Sequence, residues 1–347
     1  MAITARHIFF SLTVSASLAT QASLVLMGSA QAALFRMIIT ETETPLVPNS
    51  VVELSVRSGA FTKAGVEVEL VRVGQTPSAI AALKSGQGEM ANIALDSALQ
   101  LVARNQMRLK GIVSPDKALP FVLATTKDIT SIAQLEGKNF GVARVGSVDY
   151  LVSRSVIAKL GLDPDKLKYV GLGQPPVRAQ ALAGKRIDAT AVSIGIWLSI
   201  KDRSMLNMLV DQKKFYESAP FVTKLNVVTE SVAKDRAKEV QAVVRVIMDA
   251  SRQFAKNPQS WVEAMAQARP DVAREDLEQL AQTYRPSWSV NGGLNLDSLT
   301  YTTNVLYEDP EFKDLRKVAP AEWIDTSFID KVLSELGRDE STDAPGR

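Results

Sequence analysis

The 347-residue chain has no cysteine, and its only histidine is His7. Without thiols there is no disulfide, no thiolate nucleophile and no Cys-His zinc site. Without a second histidine there is no imidazole base of the kind hydrolases use. A chain of this size buries enough apolar surface to fold without disulfides. An excess of one charge is also missing: 40 Lys and Arg stand against 38 Asp and Glu, a formal +2. So even a balance gives no support for nucleic-acid binding.

The first segment reads as an export signal. Arg6 gives a positive start, Ile8 to Met27 is mostly apolar but diluted by Ser and Thr, and Ala30-Gln31-Ala32 is an A-x-A cleavage site. The alternative, a membrane anchor, fits the Ser/Thr dilution and the small-residue site poorly. Residues 1–32 are therefore expected to be a signal peptide, cut between Ala32 and Ala33, and His7 leaves with it. No later run is long and apolar enough to span a bilayer, and no Cys follows to carry a lipid. A soluble protein of the bacterial periplasm is expected.

What is present is a loose internal repeat. Ala82-Leu83-Lys84-Ser85-Gly86-Gln87-Gly88-Glu89-Met90-Ala91 returns as Ala181-Leu182-Ala183-Gly184-Lys185-Arg186-Ile187-Asp188-Ala189. Each copy reads as a helix end, a glycine-containing turn and an acid leading into a strand, with the acid six positions after the Leu. Two such units suggest two lobes with a ligand cleft between them.

Apolar runs at Phe35–Thr40, Val66–Val73, Met90–Leu95, Leu109–Val113 and Phe121–Thr125 read as strands of a first unit. Helices are expected at Ser50–Ser58, from Thr76 to Lys84 and from Asp96 onward, with Thr76 as N-cap and Pro77 opening the helix. A second unit repeats the alternation through Asn139–Ala143, Val148–Leu160, Lys168–Val170, Gln174–Ala183 and Ile187–Ser193. Near Phe221–Val228 the chain returns to the first lobe. The rest is helical, beginning with one helix over Val232–Lys256 whose apolar stripe includes Val240, Val243, Val244 and Ile247. This pattern predicts an α/β fold of two lobes, each a mixed, mainly parallel sheet flanked by helices. Lobe 1 takes 33–125 and 223–337, lobe 2 takes 126–222, and 338–347 is a disordered tail.

Several segments together resemble type II periplasmic substrate-binding proteins of ABC importers, in the nitrate, sulfonate, taurine and thiamine-precursor branch. Ser58 to Glu69 resembles its G-x-F-x-x-x-G-[LV]-x-V-E segment. Ala82 to Ala91 is similar to A-L-x-x-G-x-x-D-x-A, and Leu135-Glu136-Gly137-Lys138 with Phe140-Gly141-Val142 to L-x-G-K-x-[IF]-G-V. The chain departs in having Glu89 for the usual Asp and Lys185 where a turn glycine is expected. The loop Glu41 to Asn49 carries two acids where this branch is neutral, which speaks against a simple inorganic anion such as nitrate.

The resemblance implies a two-lobed binder that hands a small solute to an inner-membrane ABC permease. Ligands of open α/β sheets sit beyond the carboxyl ends of the strands. That rule names Thr42, Gln75, Thr76, Asn92, Asp96 and Ser114 from the first lobe. From the second it names Arg144 and Ser147 in the loop Arg144–Asp149, Gln174, and Ser193 and Trp197 in the loop Ser193–Trp197. The loops at Gly74–Thr76 and Gly146–Val148 open helices, whose free N–H groups and dipole favour an acidic head group. Ser147 and Thr76 are each read as an N-cap or a ligand contact. Asp96 is a cap or the partner of a ligand amine, and Arg144 a cleft cation or a solvated arginine. Trp197 is a stacking ring or core. Arg178, inside a helix, is read as surface and left out of the site. Hinges are expected at Thr125–Asp128 and Phe221–Thr223.

The expected function is capture of a small anionic organic solute, sulfonate-, taurine- or carboxylate-like, by hinge closure. The protein is expected to be a monomer with no cofactor, no metal and no catalysis. A sensory protein presenting ligand to a receptor or kinase would use the same cleft. Thiamine-precursor synthases share the resemblance, but they rely on the His and Cys that are missing here.

Overall fold

The computed structural model describes residues 1–2, 34–47, 49–115 and 121–340. The expected signal peptide and its cleavage site lie outside the described residues, apart from the first two. Among the described residues, ten strands are arranged in two five-stranded sheets: β1 (Phe35–Ile39), β2 (Val68–Arg72), β3 (Met90–Ala94), β4 (Leu109–Val113), β5 (Phe121–Thr126), β6 (Asn139–Val142), β7 (Lys168–Gly171), β8 (Ala189–Ser193), β9 (Leu206–Val210) and β10 (Lys224–Thr229). The orders are β2-β1-β3-β10-β4 and β7-β6-β8-β5-β9. Both belong to one compact unit, residues 32–347. Among the described residues no helix is long and apolar enough to cross a membrane.

The two sheets share one plan. Three strands lie parallel, and a strand from beyond the crossing runs antiparallel between the third of these and an edge strand. Each sheet is thus mixed and mainly parallel, as expected: four strands run one way, and only β10 in the first sheet and β5 in the second run the other. β3 and β8 sit near the centres and are almost wholly buried, which suits the small apolar side chains of Met-Ala-Asn-Ile-Ala and Ala-Thr-Ala-Val-Ser. β2 and β7 are edges and alternate with solvent.

β5 corrects the reading that gave Phe121–Thr125 to the first unit. It pairs with β8 and β9 in the second sheet, and β10 takes the corresponding place in the first. The chain therefore crosses before Phe121, not at Thr125. Thr125 and Thr126 pair with Ala189 and Leu206, at the end of the sheet remote from Ser193, and the Thr125 hydroxyl donates to the Ile129 carbonyl. Thr125–Asp128 cannot serve as a hinge between the sheets. The return to the first sheet, at 219–223, directly precedes β10.

The repeat has a structural cause. In each copy the acid binds back to the middle strand of the three adjacent parallel ones, β1 in the first sheet and β6 in the second. Glu89 Oε2 accepts the Arg36 N–H at 2.6 Å, and Asp188 Oδ2 accepts the Asn139 N–H at 2.8 Å. The backbones reciprocate, with the N–H groups of Glu89 and Asp188 donating to the carbonyls of Arg36 and Asn139 at 2.9 Å. The turn before the acid needs one left-handed residue. Gly86 supplies it at φ 70°, and in the second copy Lys185 does so at φ 55° while Gly184 stays at −82°. The misplaced glycine therefore leaves a lysine in a conformation that Cβ disfavours.

Three further expectations change. The helix at 232–256 is two, Glu230–Asp235 and Ala237–Lys256, with Arg236 between them. Ser193–Trp197 is not a loop, since Ile194–Ser199 is a helix with Ser193 as its cap. Asp339, assigned to the disordered tail, exchanges two 3.0 Å hydrogen bonds with Asn291; residues 341–347 lie outside the described residues.

Candidate functional site

The loops at the carboxyl ends of the two sheets meet. After β6, the Arg144 guanidinium reaches the Asp96 carboxylate, which follows β3, at 3.8 Å. After β7, Gln174 Nε2 donates to the Gly74 carbonyl, which follows β2, at 3.3 Å. After β8, Gly195 lies under the loop that follows β1. A Cβ built on it would stand 3.4 Å from Val47 and 3.5 Å from Leu46. Three contacts of this kind join the tip loops of opposite sheets.

On the second-sheet side, Asp149 organises the loop. It is the second residue of helix Val148–Lys159, where a negative charge suits the helix dipole. Its Oδ2 accepts the Ala143 N–H at 2.9 Å and the Arg178 guanidinium. The Ser147 hydroxyl lies within reach of both Asp149 Oδ1 and the Arg144 carbonyl, and its one proton serves one of them. Ser147 is the N-cap residue but makes no side-chain cap bond. Arg178 is 1% exposed, bonded to Asp149 and to the Ala191 carbonyl, which corrects its reading as a surface residue. A lone arginine inside an Ala-rich helix gives no sequence signal of burial, because its partner lies on another element.

On the first-sheet side, a chain of amides crosses the strand ends. Asn92 Nδ2 donates to Asn226 Oδ1 at 2.8 Å, and Asn49 Nδ2 donates to Asn92 Oδ1 at 3.1 Å and to Glu41 Oε1 at 2.7 Å. Lys224 Nζ lies 2.7 Å from Thr40 Oγ1 and 3.5 Å from Glu41 Oε1. Glu41 Oε2, Asn49 Oδ1, Asn226 Nδ2 and Asp96 Oδ1 are buried with no hydrogen-bond partner. Asp96 is 4% exposed. Burial pushes its carboxyl above the ordinary range, against the pull of the Ser97 backbone N–H and of Arg144, and nearby Asp149 adds to the push.

The other named residues divide into exposed and structural positions. Thr42, Gln75 and Gln174 are exposed on tip loops. Thr76 begins its helix, with Gln75 rather than Thr76 as N-cap, and Thr76 Oγ1 accepts the Ala94 N–H at 3.3 Å. Ser114 is fully buried, its hydroxyl donating to the Lys224 carbonyl at 2.7 Å. Ser193 caps the Ile196 N–H at 3.3 Å. Trp197 is buried, with the Arg203 guanidinium 6.0 Å from its ring centroid. The sequence reading missed Glu41, Asn49, Lys224, Asn226 and Glu311, and named Asp149 only as the end of the loop Arg144–Asp149. Lys224 and Asn226 lie on the returning strand, whose placement between β3 and β4 no local pattern announces. Glu311 arrives from a distant turn to bind Arg144 at 2.9 and 3.0 Å.

A hollow of about 700 Å³ lies among the C-terminal helices and is lined in part by Arg252, Lys256 and Arg285. Arg252 is engaged by the carbonyls of Val290 and Gly337 and by Asn291, and Arg285 by the carbonyl of Ala255. These bonds fasten the C-terminal segment. Among the described residues no group of three or more His, Cys, Asp or Glu is placed to hold a metal ion.

A family model described as NMT1/THI5 like matches residues 55–261. The chain belongs to that family. No curated protein sequence matches this NMT1/THI5-like chain. Among solved structures it is similar to a putative periplasmic sulfonate-binding protein, SsuA, from Methylobacillus flagellatus KT. That match has 16% identity and a TM-score of 0.68, and covers 88% of this chain and 95% of the other. The periplasmic nitrate-binding protein NrtA from Synechocystis PCC 6803 matches at 11% identity and TM-score 0.68, covering 91% and 93%. The alkanesulfonate-binding SsuA from Xanthomonas axonopodis pv. citri, bound to MOPS, matches at 16% and 0.65, covering 86% and 100%. The fold is that of the periplasmic binding proteins.

Proposed function

We propose that this protein is the periplasmic solute-binding component of an ABC importer. It holds a small charged organic solute between the tips of its two sheets and delivers it, unconverted and as a monomer, to a membrane permease. The observation that carries this reading is the meeting of three pairs of strand-tip loops, one of which brings Arg144 to a buried, underbonded carboxylate. Such sites are where α/β sheets take ligands. Similar folds whose names state binding of sulfonate or nitrate, and a periplasmic location, support the same direction.

An acidic group on the solute would be met by Arg144, by Lys224 and by the open N–H groups of helices Thr76–Lys84 and Val148–Lys159. Closure would pivot where the chain passes between the sheets, as at 219–223. A ligand that touches both sheets favours the closed arrangement by its differential affinity.

Small-angle scattering with a thermal-shift screen of sulfonates, carboxylates and amino acids tests this. A binding compound should raise the melting temperature by mass action and shrink the particle. An unchanged radius with a tight ligand would exclude closure, and turnover of the bound compound would replace the reading with an enzyme.

A further inference from the structure

Resting on the solute-binding reading above, we infer that the solute carries a cationic nitrogen, an ammonium, amidinium or guanidinium group, which hydrogen-bonds Asp96 Oδ1. The charges at the strand tips lead to this. Arg178 is matched by Asp149, Lys224 by Glu41 and Arg144 by Glu311. Asp96 is the carboxylate left over. Its 3.8 Å approach to Arg144 is an ion pair without a hydrogen bond, and its other oxygen has no partner although the residue is 4% exposed. The charged groups acting on it are Arg144 and Asp149, of opposite sign. A buried carboxylate in such surroundings is costly unless a donor completes it.

The fold does not require an acid at this turn. The repeat register that matches Leu83 with Leu182 and Glu89 with Asp188 matches Asp96 with Gly195. Both begin helices after the third parallel strand, Leu95–Ala103 and Ile194–Ser199, and the second forms with no side chain there. The backbone N–H groups of Asp96 and Ser97 at the helix start pull on the carboxylate, but the matching turn forms without an acid, so the helix does not require one there.

An anion alone is a poor occupant, since it would join Asp96, Asp149 and Glu311. A zwitterion is a good one. The Arg144–Glu311 pair is half exposed on both sides, 52% and 45%, so a solute acid can replace Glu311 on Arg144 while the nitrogen takes Asp96.

Isothermal titration with matched probes tests the inference: ω-aminoalkanesulfonates and ω-aminoalkanoates, the same acids without the amine, and alkylguanidines. Nitrogen-bearing probes should bind at least tenfold tighter than their desamino partners. Asp96→Asn should cost them at least 30-fold while the melting temperature of the ligand-free protein holds or rises, which a merely structural acid would not allow. Asp96→Ser serves as the second variant if the amide does not fold. Glu311→Gln should tighten the zwitterions more than the guanidines. Equal binding of desamino acids, or undiminished binding by Asp96→Asn, overturns the inference and leaves solute binding intact. Failure of every probe in all series overturns both.

Discussion

The two turns that follow β3 and β8 are the same device with opposite contents. One places Asp96 against Arg144; the other places Gly195 under Leu46 and Val47, with Leu280 3.9 Å from where a Cβ would stand. The first side of the interlobe contact is thus polar and underbonded, and the second is apolar and closely packed. Behind the tips the contrast reverses. The repeat register sets Ala79 of the first half against Arg178 of the second, both fully buried. One scaffold has taken an ion pair in one half and an alanine in the other. Topology therefore fixes where a ligand can lie, and a few buried side chains fix what it can be.

The contrast breaks most sharply at Arg178. Arg178→Met leaves the partly buried Asp149 without its arginine and should cost about 3 kcal/mol in urea denaturation. Adding Asp149→Asn should recover part of that loss. Gly195→Asp makes the second turn imitate the first, but among Leu46, Val47 and Leu280 it has no Arg144. A loss of about 3 kcal/mol is expected. A neutral result would mean that the apolar side is loosely closed.

The repeat's acids sharpen the comparison through pH. At Glu89 burial raises the carboxyl pKa, but this is outweighed by hydrogen bonds from the Arg36 side chain and backbone and by the charges of Arg36 and Arg236. The folded value lies below the ordinary 4.5, so its stabilisation is fully present above 4.5 and is lost as pH falls through the folded value. Glu89→Gln should cost about 1–2 kcal/mol at pH 7 and much less near pH 3, in melts at both values. Asp96 runs the other way. Its folded value lies above the ordinary 3.8, so the free protein loses stability as pH rises from there through the folded value. Asp96→Asn should remove that loss and gain about 1 kcal/mol at neutral pH. The smallest effect belongs to the turns: Lys185→Gly should gain, and Gly86→Ala lose, about 0.5–1 kcal/mol, read from thermal melts.

The alternation of strands and helices was legible because strand and helix periods are local properties of the chain. So was the repeat, because its acid closes the same short circuit back to the middle parallel strand in both halves. The placement of β5 was not legible, since an apolar six-residue strand carries no mark of the sheet it will join. Arg178 was read as surface for a related reason: burial of a charge depends on a carboxylate brought by another helix. Arg144, Asp96 and Gln174 were nameable from the strand-tip rule, whereas Glu311 and Asn226 came from segments no rule connects to the tips.

The sequence by itself determined the α/β architecture, the doubled unit and the lack of thiol and imidazole chemistry beyond His7, because composition and periodicity are carried residue by residue. Only the tertiary structure decided which charges are paired. Ion pairing depends on distances of a few ångströms between residues far apart in the chain, and that arithmetic left Asp96 without a full partner.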